Sequence, residues 1–161
     1  MRFSLIGNSG SGKSTYAGDL AARYDLPILD LDQIAWEPNA PTTLRSAAAA
    51  SLDVSVFCEA NENWIVEGCY ADLIDATLTY QPELIFLDPG EAQCVANCRN
   101  RPWEPSKYSS KVAQDENLNF LLSWVRGYYH RDGNLSHTGH LALFNGYPGS
   151  KQRLLKLPPK A

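Results

Sequence analysis

The octet Gly7-Asn8-Ser9-Gly10-Ser11-Gly12-Lys13-Ser14 constrains this chain more than any other segment. It fits G-x-x-x-x-G-K-[ST], the phosphate-binding P-loop. The short apolar run Arg2-Phe3-Ser4-Leu5-Ile6 before it suits a buried strand. After it, Tyr16, Leu20 and Tyr24 recur at helical spacing. Strand, glycine loop and helix form the context in which the motif has a mechanism. Glycines let the backbone turn its N–H groups inward around an anion, and the following helix aims its positive end at the same point. Gly7, Asn8, Ser9, Gly10, Ser11, Gly12, Lys13, Ser14 and Thr15 are therefore the candidate nucleotide-binding residues. Lys13 is expected to reach the β- and γ-phosphates. Ser14 is expected to ligate Mg²⁺, with Thr15 beside it. The competing reading is a serine- and glycine-rich turn with no ligand.

The remaining punctuation alternates strands with helices. Expected strands are Leu26–Asp32, Trp64–Gly68, Glu83–Asp88 and Arg153–Leu157. Expected helices run over about 42–60, 73–78, 91–101, 115–130 and 136–144. This alternation predicts an α/β fold with a parallel sheet covered by helices. Ligands in such sheets bind beyond the carboxyl ends of the strands. Asp30, Asp32, Glu67 and Asp88 lie at those ends. So many carboxylates beside a phosphate site call for a cation, and Mg²⁺ is the natural one.

Each second-tier residue has two readings. Asp32 is either the base or anchor for an acceptor hydroxyl, or the cap of a turn. Glu67 is either a metal-side carboxylate or a salt-bridge partner under the sheet. Asp88 is either a water-mediated Mg²⁺ contact or the N-cap of the next helix. Arg99 and Arg101 lead into the Pro-rich, aromatic and basic insert Pro102–Tyr108, with Lys107 and Lys111 following. They read either as a flap that neutralises a transferring phosphoryl group or as a solvated helix end. Arg126 and Arg131 lie on the next helix and its exit, where one of them could reach the same phosphates. Trp36, Tyr70 and Trp103 either line an acceptor pocket or merely pack.

Composition bounds the rest. With 161 residues, 44% hydrophobic and 20% charged, the whole chain 1–161 reads as one P-loop domain with a lid at about 101–113. A net charge of −4 offers no basic field, so nucleic acid is an unlikely partner. A strand starting at residue 2 leaves no room for a signal peptide, and no run is long enough to span a membrane. The expectation is a cytoplasmic protein. Cys58, Cys69, Cys94 and Cys98 fit reduced thiols; the alternative is a metal pair from Cys94 and Cys98 with a histidine among His130, His137 and His140.

The loop Gly7–Ser14, the turn Leu31–Trp36, the segment Trp64–Tyr70, the strand Ile85–Asp88 and the late stretch Leu143–Lys151 occur in that order. Together they resemble the small P-loop kinases labelled adenylate kinase-related or FlaR-like "DNA topology modulation" proteins. The resemblance implies the nucleoside-monophosphate-kinase fold: a five-stranded parallel sheet in the order 2-3-1-4-5, with helices on both faces and a lid insert. It implies ATP and Mg²⁺. Adenylate kinases close the third strand with Asp-Gly, so Glu67-Gly68 would take the metal-side position. Shikimate kinases close the second strand with D-x-D, which Asp30-Leu31-Asp32 matches; that suggests a hydroxyl acceptor, with Arg45 loosely placed as a substrate arginine. Where adenylate kinases carry Phe-Pro-Arg after Asp-Gly, this chain has Cys69-Tyr70-Ala71.

The functional expectation is therefore an ATP-dependent kinase. Lys13, Asp32, Arg101 and Arg131 are its candidate catalytic residues. Ser14, Glu67 and Asp88 are its candidate metal residues. A small molecule or nucleotide is its acceptor. The alternative is an ATP-binding and ATP-hydrolysing switch without a small-molecule acceptor. An Asn-Lys-x-Asp signature, which would favour GTP, is missing from the sequence.

Overall fold

A computed structural model describes residues 1–159. Its main sheet has five strands: β1 (Arg2–Gly7), β2 (Ile28–Asp30), β5 (Trp64–Gly68), β6 (Glu83–Leu87) and β7 (Lys151–Leu154). They lie in the order β2-β5-β1-β6-β7, and every neighbouring pair is parallel. Two further strands, β3 (Trp36–Glu37) and β4 (Ala40–Leu44), form a separate antiparallel hairpin. With that hairpin set aside, the five strands follow the 2-3-1-4-5 order expected for a P-loop kinase fold.

The three central strands, β5, β1 and β6, are mostly apolar and buried because helices cover both faces of the sheet, whereas the edge strands β2 and β7 are more exposed. Side chains alternate between those faces. Phe3, Leu5, Ile65, Ile85 and Leu87 pack on Ala17 and Leu20 of α1 (Lys13–Tyr24). Ile6, Trp64, Val66, Leu84 and Phe86 point the other way. There they meet Val54 of α2 (Ala47–Ala60) and Leu73 and Ile74 of α3 (Ala71–Leu78). Ser4 is the polar interruption on this second face. Thr77 donates its hydroxyl to Ile74 O (2.6 Å), so Ser4 donates to Thr77 (2.6 Å) and both buried hydroxyls are satisfied.

Cys94 and Cys98 of α4 (Glu91–Arg99) pack against Leu122 and Val125 of α6 (Leu118–Gly127). Burial pushes both thiols up, Cys94 to about 11. α5 (Lys111–Glu116) precedes α6, and α7 (His137–Gly146) leads into β7.

Three boundaries differ from the sequence expectation. The alanine-rich segment does not start its helix near Thr42, because 40–44 are extended in β4; Ser46 caps α2 by accepting from Ala49 N (3.2 Å). The helix expected over 115–130 is two helices meeting at Asn117. The last strand is Lys151–Leu154, set by its ladder to Leu84–Leu87, rather than 153–157. The insert also shows more order than a bare loop: residues 100–110 lie outside regular elements, but α5 begins at Lys111. Among the described residues no helix is long and apolar enough to cross a membrane.

Candidate functional site

The loop between β1 and α1 is shaped by its glycines. Gly10 and Gly12 sit at φ 77° and 94°, where side-chain-bearing residues are strained. A Cβ on Gly10 would also lie 2.4 Å from Cys94 O, so α4 packs directly on the loop backbone. Asn97 of α4 reinforces this by donating to Gly10 O (2.7 Å). Asn8 is buried and ties the loop to α6 through Val125 O (3.0 Å). Gly12 caps α1 without any side-chain hydrogen bond. The N–H groups of the first turn, which an α-helix leaves without internal partners, therefore face a cavity rather than a cap. That geometry suits an anion. Lys13 folds back over the loop, donating to Asn8 O (2.8 Å).

A cavity of about 450 Å³ opens here. Ser9, Gly10, Gly12, Lys13, Ser14 and Thr15 line its loop end, with Leu157 against Gly12. Asp32, Glu67, Gly68 and Cys69 line its far floor. Asn97, Asn100, Arg101, Pro102, Glu104 and Lys107 form the third wall.

Glu67 ends β5, beside the P-loop strand, and is 4% exposed. It accepts from Ser14 Oγ (2.6 Å). Burial raises its pKa, a shift that Lys13 and the Ser14 hydrogen bond oppose. A buried carboxylate bonded to a hydroxyl at the mouth of an anion cradle is a hard oxygen donor pair, which fits Mg²⁺.

Asp32 follows β2 in a short 3₁₀ turn, Leu31–Gln33. Asp30 caps that turn by accepting from Asp32 N (2.9 Å), which leaves the Asp32 carboxylate free to face the cavity. Its Oδ1 accepts from Tyr70 OH (2.6 Å), and Tyr70 OH in turn accepts from Trp36 Nε1 (2.9 Å). Its Oδ2 pairs with Lys107 Nζ (3.0 Å), which reaches across from the insert. Burial favours the neutral acid, but the Lys107 ammonium and the Tyr70 hydroxyl outweigh it and hold Asp32 below the usual carboxylate range. Lys107 is correspondingly pushed up, to about 12: burial opposes its charge, and Asp32 and Glu104 restore it.

Below this floor, His140 is fully buried. Its Nε2 faces two carbonyls, Cys69 O (2.7 Å) and Asn134 O (3.0 Å). Carbonyls only accept, so Nε2 carries the proton and Nδ1 accepts from Tyr128 OH (2.8 Å). Ala71 N donates to the same Asn134 O (3.0 Å). The turn carrying Glu67, Gly68, Cys69 and Tyr70 is thus held from beneath.

Lys13, Ser14, Asp32, Glu67 and Arg101 share the one cavity. Two expected site residues do not. Asp88 neither caps α4, whose N-cap is Gly90, nor lines the cavity. Its carboxylate is engaged by Arg153 Nε (3.1 Å) and by His137 Nε2 (3.0 Å). The Arg153 guanidinium lies beside it, and Asp88 sits outside the residues that line the cavity. Arg131 is also committed elsewhere: it donates to Trp124 O and Leu135 O (2.7 Å each) and stacks 3.5 Å over the Trp124 ring. Those bonds hold it in the α6–α7 connection, outside the residues that line the cavity. Arg45, loosely assigned to a substrate, pairs with Asp53 (2.6 Å) and Ile34 O (2.8 Å). Arg99 is exposed, and Trp103 turns its indole N–H to Tyr108 O (3.0 Å). Sequence reading passes over Asn97 and Glu104, because neither belongs to a local motif; only the docking of α4 and the insert brings them to the cavity.

The fold is the α/β P-loop NTPase fold with a five-stranded parallel sheet. The chain superposes on an unliganded sugar kinase from Janibacter sp. HTCC2649 with a TM-score of 0.57, at 14% identity, over 98% of this chain and 87% of that one. Two shikimate kinases are also similar. The one from Bacteroides thetaiotaomicron gives a TM-score of 0.48 at 17% identity over 76% of each chain. The one from Acinetobacter baumannii, in complex with shikimate, gives 0.48 at 16% identity over 88% of this chain and 90% of that one. No protein-family model and no curated protein matches the sequence.

Proposed function

We propose that this protein is an ATP-dependent phosphotransferase that moves the γ-phosphoryl group of Mg-ATP to a hydroxyl of a small molecule. One observation carries the reading: a single cavity joins the P-loop and the Ser14–Glu67 pair to a carboxylate, Asp32, held at its opposite end. A hydrolytic switch has no need of a second, preorganised carboxylate facing the phosphate end.

The roles follow from the chemistry of each group. The loop N–H groups and Lys13 bind the β- and γ-phosphates and neutralise charge as it develops, which is most of what phosphoryl transfer asks of a protein. Ser14 and Glu67 would hold Mg²⁺, which would offset the negative charge of the phosphates when bound. Asp32 orients the acceptor hydroxyl and takes its proton. Tyr70 and Trp36 fix the rotamer of Asp32. Residues 101–110 act as the lid, carrying Arg101 and Lys107 onto the reacting groups. The adenylate kinase-related, FlaR-like resemblance agrees with these assignments.

The direct test is ADP formation from Mg-ATP with and without candidate acceptors, with the phosphorylated product identified by mass. Acceptor-stimulated ADP release with one phosphate added to the acceptor is the expected result. ADP release that no acceptor changes, with inorganic phosphate as the product, would return the protein to the switch or hydrolase class.

A further inference from the structure

The fixed floor of the acceptor half is made of Asp32, Glu67, Gly68 and Cys69. It offers two carboxylates and no cation. The basic residues that reach this half, Arg101 and Lys107, both come from the insert, and both are already countered. Arg101 pairs with Glu104 (3.3 Å); Lys107 pairs with Asp32 (3.0 Å) and lies 3.7 Å from Glu104. The arginines that could have served an anionic substrate are engaged elsewhere: Arg45 by Asp53, Arg131 by two carbonyls and Arg153 by Asp88. Lys13 sits at the phosphate end. Among the described residues, then, no uncommitted cation faces the acceptor half. With Glu67 given to the metal side, a carboxylate or phosphate placed there would still meet Asp32 in a partly desolvated cavity, where like charges repel strongly.

The contacts of Asp32 say what does fit. Its Oδ1 is taken by Tyr70 OH, which is buried and itself fixed by Trp36. Only Oδ2 can exchange partners, and the group on it now is the N–H donor of Lys107. A replacement must also donate.

Resting on the kinase reading above, we infer that the phosphate acceptor is an uncharged or cationic hydroxyl compound, a polyol or amino alcohol, whose hydroxyl replaces Lys107 on Asp32 Oδ2. In the step that follows, the acceptor oxygen forms a bond to the γ-phosphorus. The bond from that phosphorus to the β,γ-bridging oxygen breaks, and ADP leaves with the electron pair. The hydroxyl proton passes to Asp32. Departure of the Lys107 ammonium makes Asp32 a better proton acceptor at the moment the hydroxyl arrives. The freed ammonium stays on the insert, within reach of the transferred phosphoryl.

The experiment is a charge-sorted acceptor panel: uncharged polyols and sugars, amino alcohols and amino sugars, hydroxy acids, and nucleoside monophosphates. Each is assayed with Mg-ATP by ADP release and product mass. Only the first two groups should be phosphorylated. Phosphorylation of a hydroxy acid or a nucleoside monophosphate overturns the acceptor class while leaving the kinase reading intact. A panel flat throughout, with Lys13-dependent ATP hydrolysis present, overturns both. Lys107→Met then reads the sign of the acceptor directly. If the acceptor displaces Lys107, its KM falls several-fold, whatever the change in kcat. If Lys107 is instead the counter-ion of an anionic acceptor, that KM rises, and the inference fails.

Discussion

The two ends of the cavity are assembled in opposite ways. At the phosphate end, the run Gly7–Thr15 supplies the cradle from consecutive residues, and its shape is set by backbone torsions at Gly10 and Gly12. At the acceptor end the contacts that set Asp32 come from separate segments: Asp32 meets Tyr70 across 38 residues, and Lys107 arrives from the insert that follows α4. The first end is local chemistry that any loop with these glycines adopts. The second exists only once the sheet, the β3–β4 hairpin and the insert have docked. A cradle for phosphate is thus built from one segment, whereas the acceptor end depends on side-chain contacts between separate segments. Damage at the phosphate end should abolish function cleanly; damage at the acceptor end should be graded and selective.

The largest expected effect lies at the phosphate end. Lys13→Ala should lower turnover by about two to three orders of magnitude, since it deletes a charge aimed at the transferring group. The melting temperature should barely move, because the side chain makes one hydrogen bond, to a loop carbonyl. Wild-type turnover at saturating Mg-ATP would break the comparison at its stronger end.

Next come the two carboxylates, which should fail differently. Asp32→Asn should lose about two orders of magnitude of acceptor-dependent turnover while ATP affinity stays near wild type. Glu67→Gln should shift the Mg²⁺ dependence of ATP use, because the partner of Ser14 loses its charge. Separate titrations of Mg²⁺ and acceptor on both variants decide it. If Asp32→Asn moves the Mg²⁺ curve and Glu67→Gln does not, the roles are exchanged.

A smaller effect sharpens the acceptor end alone. Tyr70→Phe removes the hydrogen bond to Asp32 Oδ1 and leaves Trp36 Nε1 without its acceptor. A drop of about tenfold in kcat/KM for the acceptor is expected, the scale of one hydrogen bond to a charged group. The KM for Mg-ATP should not change; an equal loss for both substrates would mean that the two ends are not separable.

The same contrast explains what could be read from the sequence. The P-loop and the β/α alternation are local or periodic signals, the strand order is what the family resemblance implied, and each has its counterpart in the structure. Carboxylates at strand ends are also visible, which is why Asp32 and Glu67 could be named. Asp88 ends a strand in the same way, yet its fate depended on Arg153, which reaches it only through the pairing of β6 with β7. Arg131 fails for a related reason: charge and position suggested a phosphate contact, but the carbonyl ends of α6 and the next turn lie closer. The hairpin escaped because alanine and threonine between residues 40 and 49 favour no period strongly, and tertiary contacts decided which part is strand.

The smallest expected effect tests the support beneath the acceptor end. His140 holds Cys69 O with its Nε2 proton and offers Nδ1 to Tyr128, so it must be neutral. Burial lowers its pKa from the ordinary 6.5 to about 4. The unfolded chain therefore takes up this proton at a higher pH than the folded one. The sign follows: His140 leaves stability unchanged above about pH 6.5, subtracts from it progressively as pH falls, and reaches its full cost below about pH 4. That cost is on the order of 3 kcal/mol. His140→Gln can keep a donor to Cys69 O but has no group that titrates in this range. Melting temperatures of the two proteins should differ most at neutral pH and converge as pH falls from 6.5 toward 4. A difference that stays constant would mean the imidazole is not held neutral. The variant should also lose acceptor-dependent turnover before ATP affinity, because His140 holds Cys69 O directly, next to Tyr70, while Glu67 keeps its own bond to Ser14. Equal losses at both ends would show that the floor and the P-loop share a single support, and the contrast between them would fall.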